Sequence, residues 1–225
     1  MEQKKMLVLR LEGALQAWDA SSKWDDRGTE DFPTKSGIIG LLGCAMGLER
    51  GDPTLLALYD ACVMAVRADR RGERLRDYQT VTGNPLRNAA GKPKTTGNTI
   101  ISNRSYLQDA CFTVILEMSE DWHARIVEAL KAPKWCLYLG RKTCVPSRPV
   151  LECEDLPCRS LDDAIRSYPP AERAELPMIY ETELEDNTLP SFTRPDGLTD
   201  PYRGFFQRRV WRGVLKEVYH VSDQN

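Results

Sequence analysis

Three places in the chain carry residue types that can hold a phosphate or a base. Thr34-Lys35-Ser36-Gly37 stands at an expected helix start, where unpaired backbone N–H groups with a lysine beside them suit an anion. The upstream glycine of a P-loop is missing, and the same residues also make an ordinary Ser/Thr helix cap with an exposed lysine. Leu139-Gly140-Arg141-Lys142 puts adjacent cations on a glycine turn after an expected strand. Arg141 there could take a phosphate through two parallel hydrogen bonds or stand in solvent. The third place is Asp69 to Arg104, a polar stretch with arginines at 70, 71, 74, 76, 87 and 104 and lysines at 92 and 94. Tyr78 and Tyr106 lie near its ends, as residues that stack on bases would. An insert this long between core strands is either functional or unstructured, and its length and charge favour function.

Catalytic groupings are sparse. The two histidines are His123, inside a helical pattern, and His220 near the C-terminus. A metal-independent ribonuclease commonly needs a histidine acid or base beside a lysine or tyrosine. No GxSxG, HExxH or glycine-rich nucleotide fingerprint occurs. Cys153 with Cys158, and Cys136 with Cys144, lack zinc-site spacing and a complementing histidine pair, so no metal or other cofactor is expected.

Net charge is only −2, but it is segregated along the chain. From Met64 to Pro149 there are 15 Lys and Arg against 8 Asp and Glu; from Val150 to Asn187 there are 3 against 11. Beyond Thr188 the balance turns basic again. Such a chain can present a cationic face to phosphates while staying near neutral overall. Met6 to Leu11 is too short for the apolar region of a signal peptide, and no apolar run is long enough to cross a bilayer. Seven cysteines without framework spacing read as reduced thiols. A cytoplasmic protein without membrane contact is expected.

The elements that must carry these groups follow from periodicity. Met6–Leu11 reads as a strand, Gly37–Leu48 as a helix, Leu55–Ala61 as a second helix and Val63–Ala68 as a strand. The glycines and small residues of the first helix, at Gly37, Gly40, Cys44 and Gly47, are expected to form a flat stripe against a sheet. The β-branched runs Thr80-Val81-Thr82 and Thr99-Ile100-Ile101 can pair as the stem of a hairpin. Ala110–Met118 reads as a strand, Glu120–Ala132 as an amphipathic helix and Trp135–Leu139 as another strand. The order βαββαβ predicts an α+β fold, with a ferredoxin-like (RRM-like) domain over 1–149. A small, mostly β region is expected over 150–225, acidic between Glu152 and Asp186.

Five blocks, in order over about two-thirds of the chain, resemble a known family. They are Met6 to Trp18 with its Gly…Gln-Ala-Trp signature, Phe32 to Leu42, Leu75 to Val81, Tyr106 to Val114, and Tyr138 to Pro146 with its Leu-Gly-Arg turn. The family is the CRISPR-associated CasD subunit of the type I-E Cascade complex. The resemblance implies a non-catalytic subunit that holds the 5′ handle of the crRNA and caps the backbone filament. Its thumb hairpin, here about 81–105, would dock on the neighbouring backbone subunit, and the chain would also contact the large subunit. Target DNA would be met through the complex. The implied RNA-binding residues are Gln16, Trp18, Lys35, Ser36, Tyr78, Arg104, Arg141 and Lys142. Relatives in another CRISPR subtype cut precursor RNA with Tyr, Lys and His side chains. No histidine lies in this chain's thumb or in the strand after it. The alternative activity, metal-independent cleavage of repeat RNA, is therefore not expected.

Overall fold

The computed structural model describes residues 4–20, 25–83, 85–87, 90–93, 99–200 and 204–217. The central strands are apolar on both sides, which demands cover on both faces of a sheet. β1 (Lys4–Glu12) pairs antiparallel with β7 (Cys111–Ser119), and β7 pairs antiparallel with β4 (Val63–Arg70). β1 turns Leu7, Leu9 and Leu11 to one core and Met6 and Val8 to the other. The first face is covered by α1 (Lys35–Met46) and α3 (Glu120–Lys131), with α2 (Pro53–Ala61) beside α1. Ile126 and Leu130 are the buried stripe of α3. α4 (Leu161–Ser167) lays Leu161, Ala164 and Ile165 over the second face.

Seven strands form the main sheet in the order β10-β11-β9-β4-β7-β1-β8. β8 (Leu151–Cys153) is one edge, while β9 (Met178–Thr182), β10 (Ser191–Asp200) and β11 (Gly204–Leu215) extend the other. The expected boundary near residue 149 therefore does not separate two bodies. β8 pairs with β1 and β9 pairs with β4, so residues on both sides of it share one sheet. The expectation of a mostly β region there does not say which sheet its strands join.

A second sheet stands at the end of the first. β5 (Glu73–Thr82) and β6 (Thr99–Gln108) form an antiparallel hairpin in register from Glu73↔Gln108 to Thr82↔Thr99. The two β-branched runs pair, as Thr80↔Ile101 and Val81↔Ile100. The ladder starts nearer the core than position 81. The short strands β2 (Leu15–Gln16) and β3 (Asp26–Arg27) flank β6. Lys94 and part of the hairpin end lie outside the described residues, as does His220. Gly72 links β4 to β5 at φ +68, and a Cβ there would stand 2.3 Å from the Gln108 carbonyl oxygen. Only glycine fits that turn.

Two local expectations need correction. Trp135–Leu139 is not a strand; it belongs to an irregular segment whose Leu139 is buried while Trp135 is exposed. Five residues give too short a pattern to tell a strand from a buried turn. The glycine stripe on α1 also fails: Gly40 faces open space, and the close approaches, at Gly37 against Trp18, Gly43 against Leu55 and Gly47 against Lys134, form no continuous stripe against the sheet. Among the described residues, no helix is long and apolar enough to cross a membrane.

Candidate nucleic-acid interface

Gln16 and Trp18 are fully buried. The Gln16 side chain donates to the Leu11 and Ala110 carbonyls at 3.0 and 2.8 Å, and Trp18 Nε1 donates to Gln16 Oε1 at 3.0 Å. They bind the hairpin base to β1.

The Lys35 helix start is likewise satisfied from within. Thr34 caps α1 by accepting from the Gly37 N–H at 3.2 Å. The Lys35 N–H donates to Asp196 Oδ2 at 2.8 Å, so a carboxylate already sits where a phosphate was expected. Lys35 Nζ is buried, donating to the Cys62 carbonyl at 2.6 Å and Glu183 at 3.0 Å, over the Tyr59 ring. Arg208 joins the group through Asp196 and Glu183. Burial opposes the Arg208 charge, yet the two carboxylates outweigh it and hold its pKa above the ordinary value. Ser36 is half-buried on the first turn. Together these groups form an ionic clasp between α1 and the C-terminal strands.

The Gly140 turn divides its two cations. Gly140 has φ +86, and a Cβ would fall 1.7 Å from the Ala17 carbonyl oxygen. Arg141 donates to the carbonyls of Ser105, Arg27 and Gly28 at 3.0, 2.9 and 2.6 Å and lies over the Tyr106 ring. It clamps the hairpin base. Lys142 is exposed. Tyr106 is buried, so of the two nominated tyrosines only Tyr78, 61% exposed, presents a ring to solvent.

The hairpin differs in kind. Residues alternate between its faces, two positions spanning about 6.7 Å. One face carries Arg74, Arg76 and Tyr78, all exposed, with Ser105 and Asn103 opposite the last two. Arg74 meets Asp31 at 2.6 Å, but both side chains are more than half exposed, so the pair holds Arg74 only weakly. Arg104 pairs in register with Asp77 on the other face and is half-buried.

At the foot of this face lies a cleft of about 370 Å³ that the sequence pattern did not reveal. Arg71, Arg74 and Arg212 stand around it with Asp31, and Phe32, Leu107 and Ile179 give it apolar walls. Arg71-Gly72 between two β-rich runs was a visible turn signal; Arg212 comes from a strand about 140 residues on, and nothing local announces it.

Among the described residues, nothing resembles a catalytic centre. His123 Nε2 lies 2.6 Å from the Glu154 carbonyl oxygen. Burial pushes the Cys62 and Cys111 thiols up to about 12, far from nucleophilic thiolates. Among the described residues, no acidic, cysteine or histidine cluster could hold a metal.

These features define a mixed α/β protein with a large antiparallel sheet covered on both faces and a cationic hairpin at one end. The sequence model of the family described as CRISPR-associated protein (Cas_Cas5) matches residues 6–218. The chain belongs to this family, within its CasD branch. It is 38% identical over 161 residues to the CRISPR system Cascade subunit CasD of Escherichia coli (strain K12), a match covering 65% of this chain and 70% of that protein. A solved structure titled CRISPR RNA-guided surveillance complex contains a chain that superposes with TM-score 0.75 at 30% identity, covering 95% of this chain and 90% of that one. A second, titled Crystal structure of Cas protein, gives TM-score 0.70 at 31% identity, covering 94% and 95%.

Proposed function

We propose that the chain is the subunit of a type I-E Cascade complex that holds the 5′ handle of the crRNA without cutting it. The observation that carries this reading is the outward face of the hairpin, with Arg74, Arg76 and Tyr78 exposed in alternation. Two guanidiniums and an aromatic ring on one extended strand suit a single RNA strand, the cations meeting phosphates and the ring a base. Family membership and the CasD relative support the assignment to such a complex.

The strands β8-β1-β7-β4, with α1 and α3 on one face, are read as a ferredoxin-like unit widened by β9, β11 and β10. RNA does not lie on the sheet as in an RRM, because α4 covers the face that an RRM leaves open. The β5/β6 hairpin is the thumb. Its other face exposes Leu75 and Val81, which suit a protein neighbour such as the backbone subunit. Lys142 adds a cation at the turn clamped to the hairpin base. Contact with the large subunit, and with target DNA through the complex, follows from the same assignment.

Co-expression with the other Cascade subunits and a crRNA tests the reading. The chain should co-purify with the RNA, and the handle should crosslink to it. A complex that assembles while RNA crosslinks only to other subunits would refute it. Incubating the purified chain with repeat RNA in EDTA should leave the RNA intact; specific cutting would instead establish an endoribonuclease.

A further inference from the structure

The cleft at the foot of the hairpin joins an apolar floor to a rim of three arginines and one carboxylate, Asp31, which Arg74 meets at 2.6 Å. The floor is made by Leu107 and the half-buried Ile179, with Phe32 at the wall. On the rim, Arg71 is exposed and makes one long hydrogen bond, 3.3 Å to the Pro177 carbonyl, leaving most of its guanidinium donors unspent. Arg212 is tied through Nε and Nη2 to Glu181 at 3.1 and 2.6 Å, which fixes the guanidinium plane over the Phe192 ring. Its Nη1 takes no part in that pair. A volume of about 370 Å³ lies at the lower end of the range of small-molecule sites. The side-chain-free turn at Gly72 keeps one wall low.

The hairpin face leads into this cleft. Tyr78, Arg76 and Arg74 follow one another along β5, and Arg74 lines both the face and the cleft. An apolar floor with two or more guanidiniums at the rim is the chemistry that holds a single nucleotide: the base leaves water against the floor and the phosphate takes the arginines. An acidic peptide would use the rim but not the floor. An apolar side chain would use the floor but leave the guanidiniums without partners.

We propose that the cleft takes one unstacked nucleotide of the RNA strand carried by the hairpin, its base on Leu107 and Ile179 and its phosphate at Arg71 and Arg212. This rests on the RNA-binding reading given above. The pocket makes this chain grip one defined position of the strand, whereas the hairpin face alone grips any.

The test uses the complete reconstituted complex, with a photoactivatable nucleoside placed at each handle position in turn. One position should crosslink to peptides containing residues 71–74 or 177–179. Arg71→Glu should abolish that crosslink and weaken RNA binding about tenfold, while crosslinks to the peptide containing Tyr78 persist. Arg71 makes a single surface hydrogen bond, so the variant should fold; an unchanged melting temperature checks this. Crosslinks to the hairpin with none to the cleft from any position would overturn the inference and leave the RNA-binding reading standing. A neighbouring protein crosslinked into the cleft would also overturn it. No RNA crosslink anywhere on this chain would overturn both.

Discussion

The cations around the sheet and those on the hairpin are the same residue types put to opposite uses. Arg10 and Arg67 are buried against Asp69, which accepts from both guanidiniums, from Thr113 Oγ1 at 2.9 Å and from the Ala171 N–H at 2.7 Å. Arg67 also donates to the Ile165 and Tyr168 carbonyls, so the group pins the α4 cover to the sheet. Lys35, Arg208, Asp196 and Glu183 form the second such clasp. On the hairpin, Arg74 and Arg76 look outward with Tyr78 beside them. What separates the two uses is the carboxylate partner, and that partner is remote in the chain: Lys35 finds Asp196 and Glu183 161 and 148 residues away. Charge that is matched in the interior locks the fold; charge on a projecting element, held weakly or not at all, stays available to a partner.

The contrast breaks most severely at its buried end. Asp69→Ala leaves the buried Arg67 guanidinium without a carboxylate and Arg10 with only Glu152 at 3.5 Å, and should cost about 3–5 kcal/mol. Urea unfolding would read it as a large fall in the midpoint or as failure to fold. A loss below about 1 kcal/mol would mean that water reaches the group and that it is no lock. Lys35→Ala comes next. It removes one partner of Glu183, which keeps Arg208 and the Met64 N–H, so a loss of about 1–3 kcal/mol is expected. Affinity of the assembled complex for crRNA, measured below the melting temperature, should not change. A clear loss of affinity at normal stability would return Lys35 to the RNA site.

The buried thiols sharpen the picture of a sealed core. Cys62 and Cys111 have pKa values raised by burial to about 12, against about 8.5 for unfolded cysteine. A raised folded value means that their stabilising contribution is complete below the unfolded value and is lost as pH rises from there toward 12. Stability should therefore fall by at most about 1.4 kcal/mol per pH unit per thiol in that window. Burial raises the Tyr59 pKa as well, in the same direction. Urea midpoints at pH 8 and pH 10 check this, and equal midpoints would show the thiols to be accessible.

Much of the fold was legible because it is local. Helix α1 begins beside Thr34 and ends at Gly47 in the left-handed conformation, as a cap at each end dictates. The pairing of Thr80–Thr82 with Thr99–Ile101 followed from two β-branched runs around a turn-rich segment. The sheet was less legible. The strand that periodicity sought at Trp135–Leu139 is absent, Leu151–Cys153 forms one edge of the sheet, and strands from both halves share that sheet. The candidate site divided along the same line. Tyr78 and Lys142 are exposed where their polar surroundings suggested. Gln16, Trp18, Lys35 and Arg141 hold the hairpin base and the helix start from within. Their roles depend on carbonyls and carboxylates far along the chain, which no short motif contains.

The most direct test of the division is the salt dependence of crRNA binding by the reconstituted complex carrying Arg74→Ala and Arg76→Ala together. Both side chains are exposed, so stability should stay within about 0.5 kcal/mol of the parent. Affinity should drop about tenfold, and the slope of log K against log salt should shrink by roughly 0.7 for each phosphate of the single strand that no longer has a cation beside it. Unchanged affinity and slope in the double variant, with weakened binding in Lys35→Ala instead, would contradict the assignment of RNA to the hairpin and place it at the helix start.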